Sequence, residues 1–206
     1  MAINELFQNA NNIAELLSTT EFSQEKIEKY YNSLIFFNSI EYNSIQCPHF
    51  KDQSALLLYA FNYNLTNLIA NTVLYIHYDN VSNLTREDIT NYIGEVLKTE
   101  TPLQVVLRIA IKDNILANNV IKKGELISII IGNANQDMPS SASILSFGHG
   151  IHKCIGEKIS MLITKKIIEL LFIKYKLKVE VKDFNWENIY GFRSLKDFKV
   201  KLCKMN

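Results

Sequence analysis

Ser146-Phe147-Gly148-His149-Gly150-Ile151-His152-Lys153-Cys154-Ile155-Gly156 runs directly into the amphipathic stretch E-K-I-S-M-L-I-T-K-K-I-I-E-L-L-F. Three glycines around one cysteine, with helical spacing starting beside it, describe a loop built to present a sulfur. Gly148 and Gly150 permit positive φ and close backbone approach, so the loop can fold tightly under a flat ligand without Cβ clashes. Cys154 falls near the predicted helix start. Free amides and the positive end of the helix dipole favour an anion there, which for a cysteine is the thiolate. A thiolate is the donor that a soft or borderline metal takes. A lone cysteine by itself reads as a small buried hydrophobe, so the pattern around it decides.

That pattern resembles the haem-binding signature of the cytochrome P-450 family, F-x-x-G-x-x-x-C-x-G, with Phe147, Gly150, Cys154 and Gly156 on the expected positions. The resemblance implies that Cys154 is the metal ligand, the proximal thiolate of the iron of haem b. It also implies that Phe147, Gly148 and Gly150 belong to the cofactor-binding loop. His152 matches a position that in the family usually holds a cation for a haem propionate.

Working toward the N-terminus, P-L-Q-V-V-L-R-I-A-I-K-D from Pro102 to Asp113 resembles the family's P-V-Q-x-x-x-R-x-A-x-x-D. The resemblance puts Arg108 at a propionate-binding arginine, a second cation for the haem carboxylates. It puts Val105 to Leu107 on the substrate side. The β-branched stretch that follows predicts a hairpin with its turn near Asn118 and Asn119. N-A-N-Q-D, Asn133 to Asp137, resembles the family's A-A-N-R-D. Earlier, Thr85 followed by Asp88 is a capping-type start for a helix that ends in E-V-L-K. Glu95 and Lys98 stand there where the family carries E-x-x-R, although a lysine cannot form the bidentate fork of an arginine.

From Ser54 to His77 runs the longest helical candidate, apolar around most of its circumference and so expected in the centre of the fold. It resembles the family's distal helix, whose pattern is roughly A-G-x-[ED]-T-T. Ala60 matches, Phe61 stands at the glycine, Tyr63 at the acid and Asn64 at the alcohol. The resemblance makes Tyr63 and Asn64 the candidate catalytic pair, where acid and alcohol ordinarily deliver protons. On the other side of the cysteine loop, the C-terminal residues resemble the family's last strands, with Trp186 expected as a core aromatic. Between Asp137 and Ser146 only M-P-S-S-A-S-I-L intervenes, so the arginine that completes the family's triad with E-x-x-R is absent.

The remainder of the chain is plainer. Asn4 to Leu17 and Ser23 to Phe37 carry helical spacing. Ser39 to Gln53, with Cys47-Pro48-His49, reads as a loop, and His49 as a surface residue. A chain of 206 residues at 48% hydrophobic content predicts one domain. Residues 1–53 form its N-terminal helical segment and residues 54–206 its haem-binding region. With 22 Lys and Arg against 21 Asp and Glu, no charge excess points to nucleic acid or an anionic membrane. Three cysteines without paired spacing fit a reducing compartment. No leader is evident at the start, and no apolar run reaches the roughly 18 residues that span a membrane. The expectation is a soluble cytoplasmic protein, mainly α with a small β portion, with an N-terminally truncated cytochrome P-450-like haem-thiolate fold.

The activity implied by the resemblance is oxidation of a small apolar substrate by oxygen, with electrons from an external ferredoxin, flavodoxin or reductase. The alternative is a non-catalytic haem-binding remnant: a sensor, a scaffold or a decayed P-450-like protein. The shortened frame further implies a haem edge left for a dimer or a second chain to cover.

Overall fold

The computed structural model describes residues 3–18, 22–39, 50–81, 83–139 and 143–204. Cys47 and His49 lie outside the described residues. Helix α1 (Ile3–Ser18) places Leu6, Ala10 and Ile13 on one face, and α2 (Gln24–Ser39) presents Tyr30, Leu34 and Phe37 to them. Both stripes follow the three-and-four spacing of an amphipathic helix, and together they enclose a small core completed by Leu58 and Tyr59.

Those last two residues belong to a long central rod. Helix α3 (Phe50–Tyr59) starts ahead of the expected Ser54, passes through a π-helical turn at Ala60–Asn64, and continues as α4 (Leu65–Tyr78). Leu68, Val73 and Ile76 of α4 form the main core with Ile89, Ile93, Val96 and Leu97 of α5 (Arg86–Thr99). Ile168 of α7 (Glu157–Ile168), Phe172 in the π-helical turn after it, and Val179 close that core. The start of α5 is fixed as its sequence predicts: Thr85 Oγ1 accepts from Asp88 N, and the Asp88 carboxylate accepts from Thr85 N at 2.8 Å.

Three antiparallel pairs supply the β portion. Strand β1 (Val105–Ile109) pairs with β4 (Leu126–Ile130), from Val105 opposite Ile130 to Ile109 opposite Leu126. Between them β2 (Asn114–Leu116) and β3 (Asn119–Ile121) form the hairpin, turning through Ala117 and Asn118 at φ 46° and 66°. Two positive φ values in a row make a primed turn, the kind whose twist matches the strands it joins. The N-A-N-Q-D segment leaves the strand and is helical, within α6 (Ile131–Asp137). Strands β5 (Leu177–Trp186) and β6 (Leu195–Lys204) close the chain, and the turn between them rests on β1, where Gly191 O accepts from Gln104 N and Val105 N at 2.7 and 3.3 Å.

Trp186 is not the core aromatic expected. It sits at the end of the β5–β6 ladder, 36% exposed, with the Arg193 guanidinium 3.5 Å from its ring centroid. Arg193 also pairs with Glu100, so a cation held by an acid covers the ring face that the core does not. Among the described residues no helix is long and apolar enough to cross a membrane.

Candidate functional site

The cysteine loop is held by its own backbone. Gly148 N donates to Leu145 O at 2.8 Å, and Cys154 N donates to Phe147 O at 2.7 Å, so the loop closes on itself. Gly148 has φ +70°, and a Cβ there would lie 2.6 Å from His152 O. Only glycine fits without moving that peptide. Gly150, at φ +61°, opens a 3-10 turn through His152, and α7 begins at Glu157 with Gly156 as its N-cap. Cys154 is a free, exposed thiol.

That thiol lies at the edge of a cavity of about 760 Å³. The central rod contributes Phe61, Asn64, Leu65 and Leu68, and strand β1 contributes Val106 and Arg108. Strand alternation explains this choice. Val106 and Arg108 share a face, whereas Val105 and Leu107 are not among the lining residues, contrary to the expectation for the whole Val105–Leu107 segment. The loop adds Phe147, Gly148, His149, His152 and Cys154. Gly150 shapes the loop's backbone but does not line the cavity. His149 was not anticipated as a site residue. Its signal is a large polar side chain set between two positive-φ glycines.

The rest of the wall is mainly apolar, with the hydroxyl residues Thr101, Ser146 and Ser160 among it, and none of the described lining residues is acidic. Among the described residues Arg108 has no carboxylate partner; its Nη1 donates to the neighbouring Leu107 O at 2.7 Å. Besides the Asn64 amide, three nitrogen-bearing side chains, Arg108, His149 and His152, thus face a space to which no described lining residue brings a carboxylate. This set fits haem: largely apolar walls for a flat macrocycle, an arginine and two imidazoles as N–H donors for its carboxylates, and a thiol for its metal.

The π-helical turn decides what the rod presents. At its end Asn67 Nδ2 donates to the Tyr63 carbonyl at 2.9 Å. Asn64 faces the cavity with its Oδ1 buried and without a hydrogen-bond partner. Tyr63 is turned to the opposite side. Its hydroxyl donates to Glu187 Oε2 at 2.6 Å, beside Ser194 Oγ, and its ring stacks on Tyr59 at 5.0 Å. Burial, reinforced by the bond to Glu187, raises the pKa of the Tyr63 hydroxyl. The structure therefore brings Asn64, and not Tyr63, to the candidate site. Asn67 accepts from Leu195 N at 3.1 Å, and Asn71 donates to Arg193 O at 3.3 Å. Tyr63, Asn67 and Asn71, one helical turn apart, thereby grip the Arg193–Leu195 turn. Sequence reasoning missed this tether, although three polar residues at i, i+4 and i+8 on an apolar helix were its signal.

No ion pair joins Glu95 and Lys98; Glu95 is exposed. What fastens the end of α5 to the cysteine loop is neutral. Asn135, fully buried, donates from Nδ2 to Leu97 O at 3.3 Å and to Ser146 Oγ at 2.8 Å, and accepts from Leu145 N at 2.7 Å.

No protein-family model matches the chain. Among curated proteins it is 31% identical to the biotin biosynthesis cytochrome P450 of Bacillus subtilis, over 70% of this chain and 41% of that protein. It is 37% identical to cytochrome P450 109 of Bacillus spizizenii, over 52% of this chain and 30% of that protein. Among solved structures, P450BioI in complex with an acyl carrier protein ligated to hexadec-9Z-enoic acid overlaps at a TM-score of 0.80, with 22% identity, over 97% of this chain and 62% of that chain. The ligand-free structure of cytochrome P450 TbtJ1 overlaps at 0.79 over 97% of this chain and 64% of that one. The chain belongs to the cytochrome P-450 family, a family of haem-thiolate monooxygenases, and has its mainly helical fold. It spans less than half the length of these curated relatives.

Proposed function

We propose that this chain supplies the thiolate side of a haem-thiolate monooxygenase that oxidises a small apolar substrate with electrons from an external ferredoxin, flavodoxin or reductase. The observation that carries the reading is the pairing of a free thiol, Cys154, with unopposed Arg108 and His152 around an acid-free apolar cavity. Cys154 is the metal donor, and Arg108 and His152, with His149 beside them, take the two carboxylates of haem b. Bound there, haem supplies the iron at which oxygen is activated. The remaining roles belong to the chain. Leu65, Leu68, Val106 and Ile129 exclude water and favour an apolar substrate, Phe61 narrows the space above the loop, and the unpartnered Asn64 Oδ1 accepts a hydrogen bond from a water or a substrate hydroxyl.

A second reading, a haem-binding protein with little turnover, is favoured by one specific feature. The rod turns its one phenolic hydroxyl in this segment toward Glu187, leaving an amide and a phenyl ring on the cavity side. Carbon monoxide added to the reduced, haem-loaded protein should give the red-shifted Soret band of thiolate ligation, and Cys154→Ser should remove it. An unchanged spectrum in Cys154→Ser refutes ligation by Cys154 and with it the monooxygenase reading, and absence of any haem spectrum in the wild type refutes both.

A further inference from the structure

We propose that Asn135 is the positioning residue of the cysteine loop, a neutral clamp that sets the peptide from which Cys154 is hung. The inference rests on the haem-thiolate reading and deepens it.

The geometry runs through consecutive bonds. Leu97 lies in the last turn of α5, where a helix leaves carbonyls without intrahelical partners. Its oxygen is taken by Asn135 Nδ2 and by Ser146 Oγ, and Asn135 Nδ2 also reaches Ser146 Oγ itself. The same side chain accepts from Leu145 N through Oδ1. Leu145 O then receives Gly148 N, and Phe147 O receives Cys154 N. Asn135 thus fixes one end of the turn whose other end fixes the Cys154 amide. It satisfies at once a helix end, a hydroxyl and a loop amide, and does so while 0% exposed. A buried network in which every member is satisfied rigidifies what it holds, and losing one partner leaves the others buried and unpaired. Glu95 and Lys98, which form no ion pair with each other, do not provide this support.

The shape of the side chain matters. Both a donor and an acceptor are used in fixed directions, so aspartate, of equal size, would keep the bond to Leu145 N and turn an oxygen toward Leu97 O. Alanine would remove every bond. Aspartate removes the donor and alanine every bond, so damage confined to the cysteine loop in both marks a clamp, whereas a space filler would loosen all the elements around it alike.

The test uses Asn135→Asp and Asn135→Ala in the full chain. In the haem-loaded protein, the ferrous carbon monoxide complex should lose part of its thiolate band to the blue-shifted band of a neutral thiol. Haem loss to an excess of a haem scavenger should be at least tenfold faster in Asn135→Ala. In the haem-free protein, hydrogen exchange should accelerate at the amides of residues 145–154 and stay unchanged in α4. A wild-type thiolate band retained in full by both variants, with haem loss within twofold of wild type, overturns the proposal while leaving the haem-thiolate reading intact. Exchange that rises evenly through α4, α5 and α7, or unfolding of both variants, also overturns it, because Asn135 would then hold the whole fold. A wild-type protein without the thiolate band refutes the proposed function instead, and the exchange measurement on haem-free protein then decides for or against the clamp.

Discussion

Gly148 and Gly150 are two residues apart, both have positive φ, and both fall in the same loop, yet replacing each by alanine should have different consequences. At Gly150, φ is +61° and an added Cβ meets nothing within 4 Å, so alanine bears only the left-handed backbone term, about 1–2 kcal/mol. At Gly148, φ is +70° and the Cβ would stand 2.6 Å from His152 O and 3.4 Å from His152 C. The obstacle is backbone, so no rotamer change relieves it. Overpacking of this kind adds about 1–3 kcal/mol. Gly148→Ala should therefore be the more destabilising by about 1–3 kcal/mol, a factor of roughly 5 to 150 in the folding equilibrium. Relief requires the His152 peptide to move, which also displaces the imidazole that lines the cavity. Urea denaturation of the haem-free variants gives the stability difference by linear extrapolation, and hemin titration gives the affinity difference. Equal losses within about 0.5 kcal/mol, or the larger loss in Gly150→Ala, would refute the claim that the Gly148–His152 contact shapes this loop.

Removing the Tyr63 hydroxyl in Tyr63→Phe should cost about 1 kcal/mol, because Glu187 loses a partly buried donor while keeping Ser194 Oγ; thermal denaturation checks it, and an unchanged midpoint would show that water replaces the bond. The same variant has a pH signature. The folded state holds Tyr63 neutral above the ordinary tyrosine value of about 10, so its stability is intact below that pH and is lost as pH rises toward the raised folded value. The wild type should weaken steeply above pH ~10 and Tyr63→Phe less steeply, with parallel profiles counting against the assignment. On the cavity side, Asn64→Thr restores a hydroxyl and Phe61→Gly restores space. Since a positioned proton donor contributes about 10²–10⁴-fold, Asn64→Thr should raise the fraction of reductant recovered as product, and no change in that fraction would remove Asn64 from the proton path.

The cysteine loop was legible because its constraints are local. Glycines with positive φ, a following amphipathic helix and a cysteine at fixed spacing are properties of a short stretch, and the loop folds as the stretch says. The capping box at Thr85 and the Asn118 turn are local in the same sense. The distal side was legible in frame but not in direction. Helical spacing places Tyr63 and Asn64 side by side on the rod, and a motif reading assigns both to the cavity. A π-helical turn, however, changes the angular advance per residue, and the decision between two faces passes to whatever lies outside the helix. Here that is the Arg193–Leu195 turn, more than a hundred residues away, whose Ser194 and nearby Glu187 offer Tyr63 a buried partner. The same distance hid Asn135, whose partners Leu97 and Ser146 come from separate elements. Both cases have one cause. A buried polar side chain must find partners, and an amide or phenol carries no periodicity that names them. Because the phenol faces outward, the only polar group the π turn itself gives the cavity is the Asn64 amide. An amide hydrogen-bonds without releasing a proton near neutral pH, which is why the function proposed above gives Asn64 only the holding of a water or a substrate.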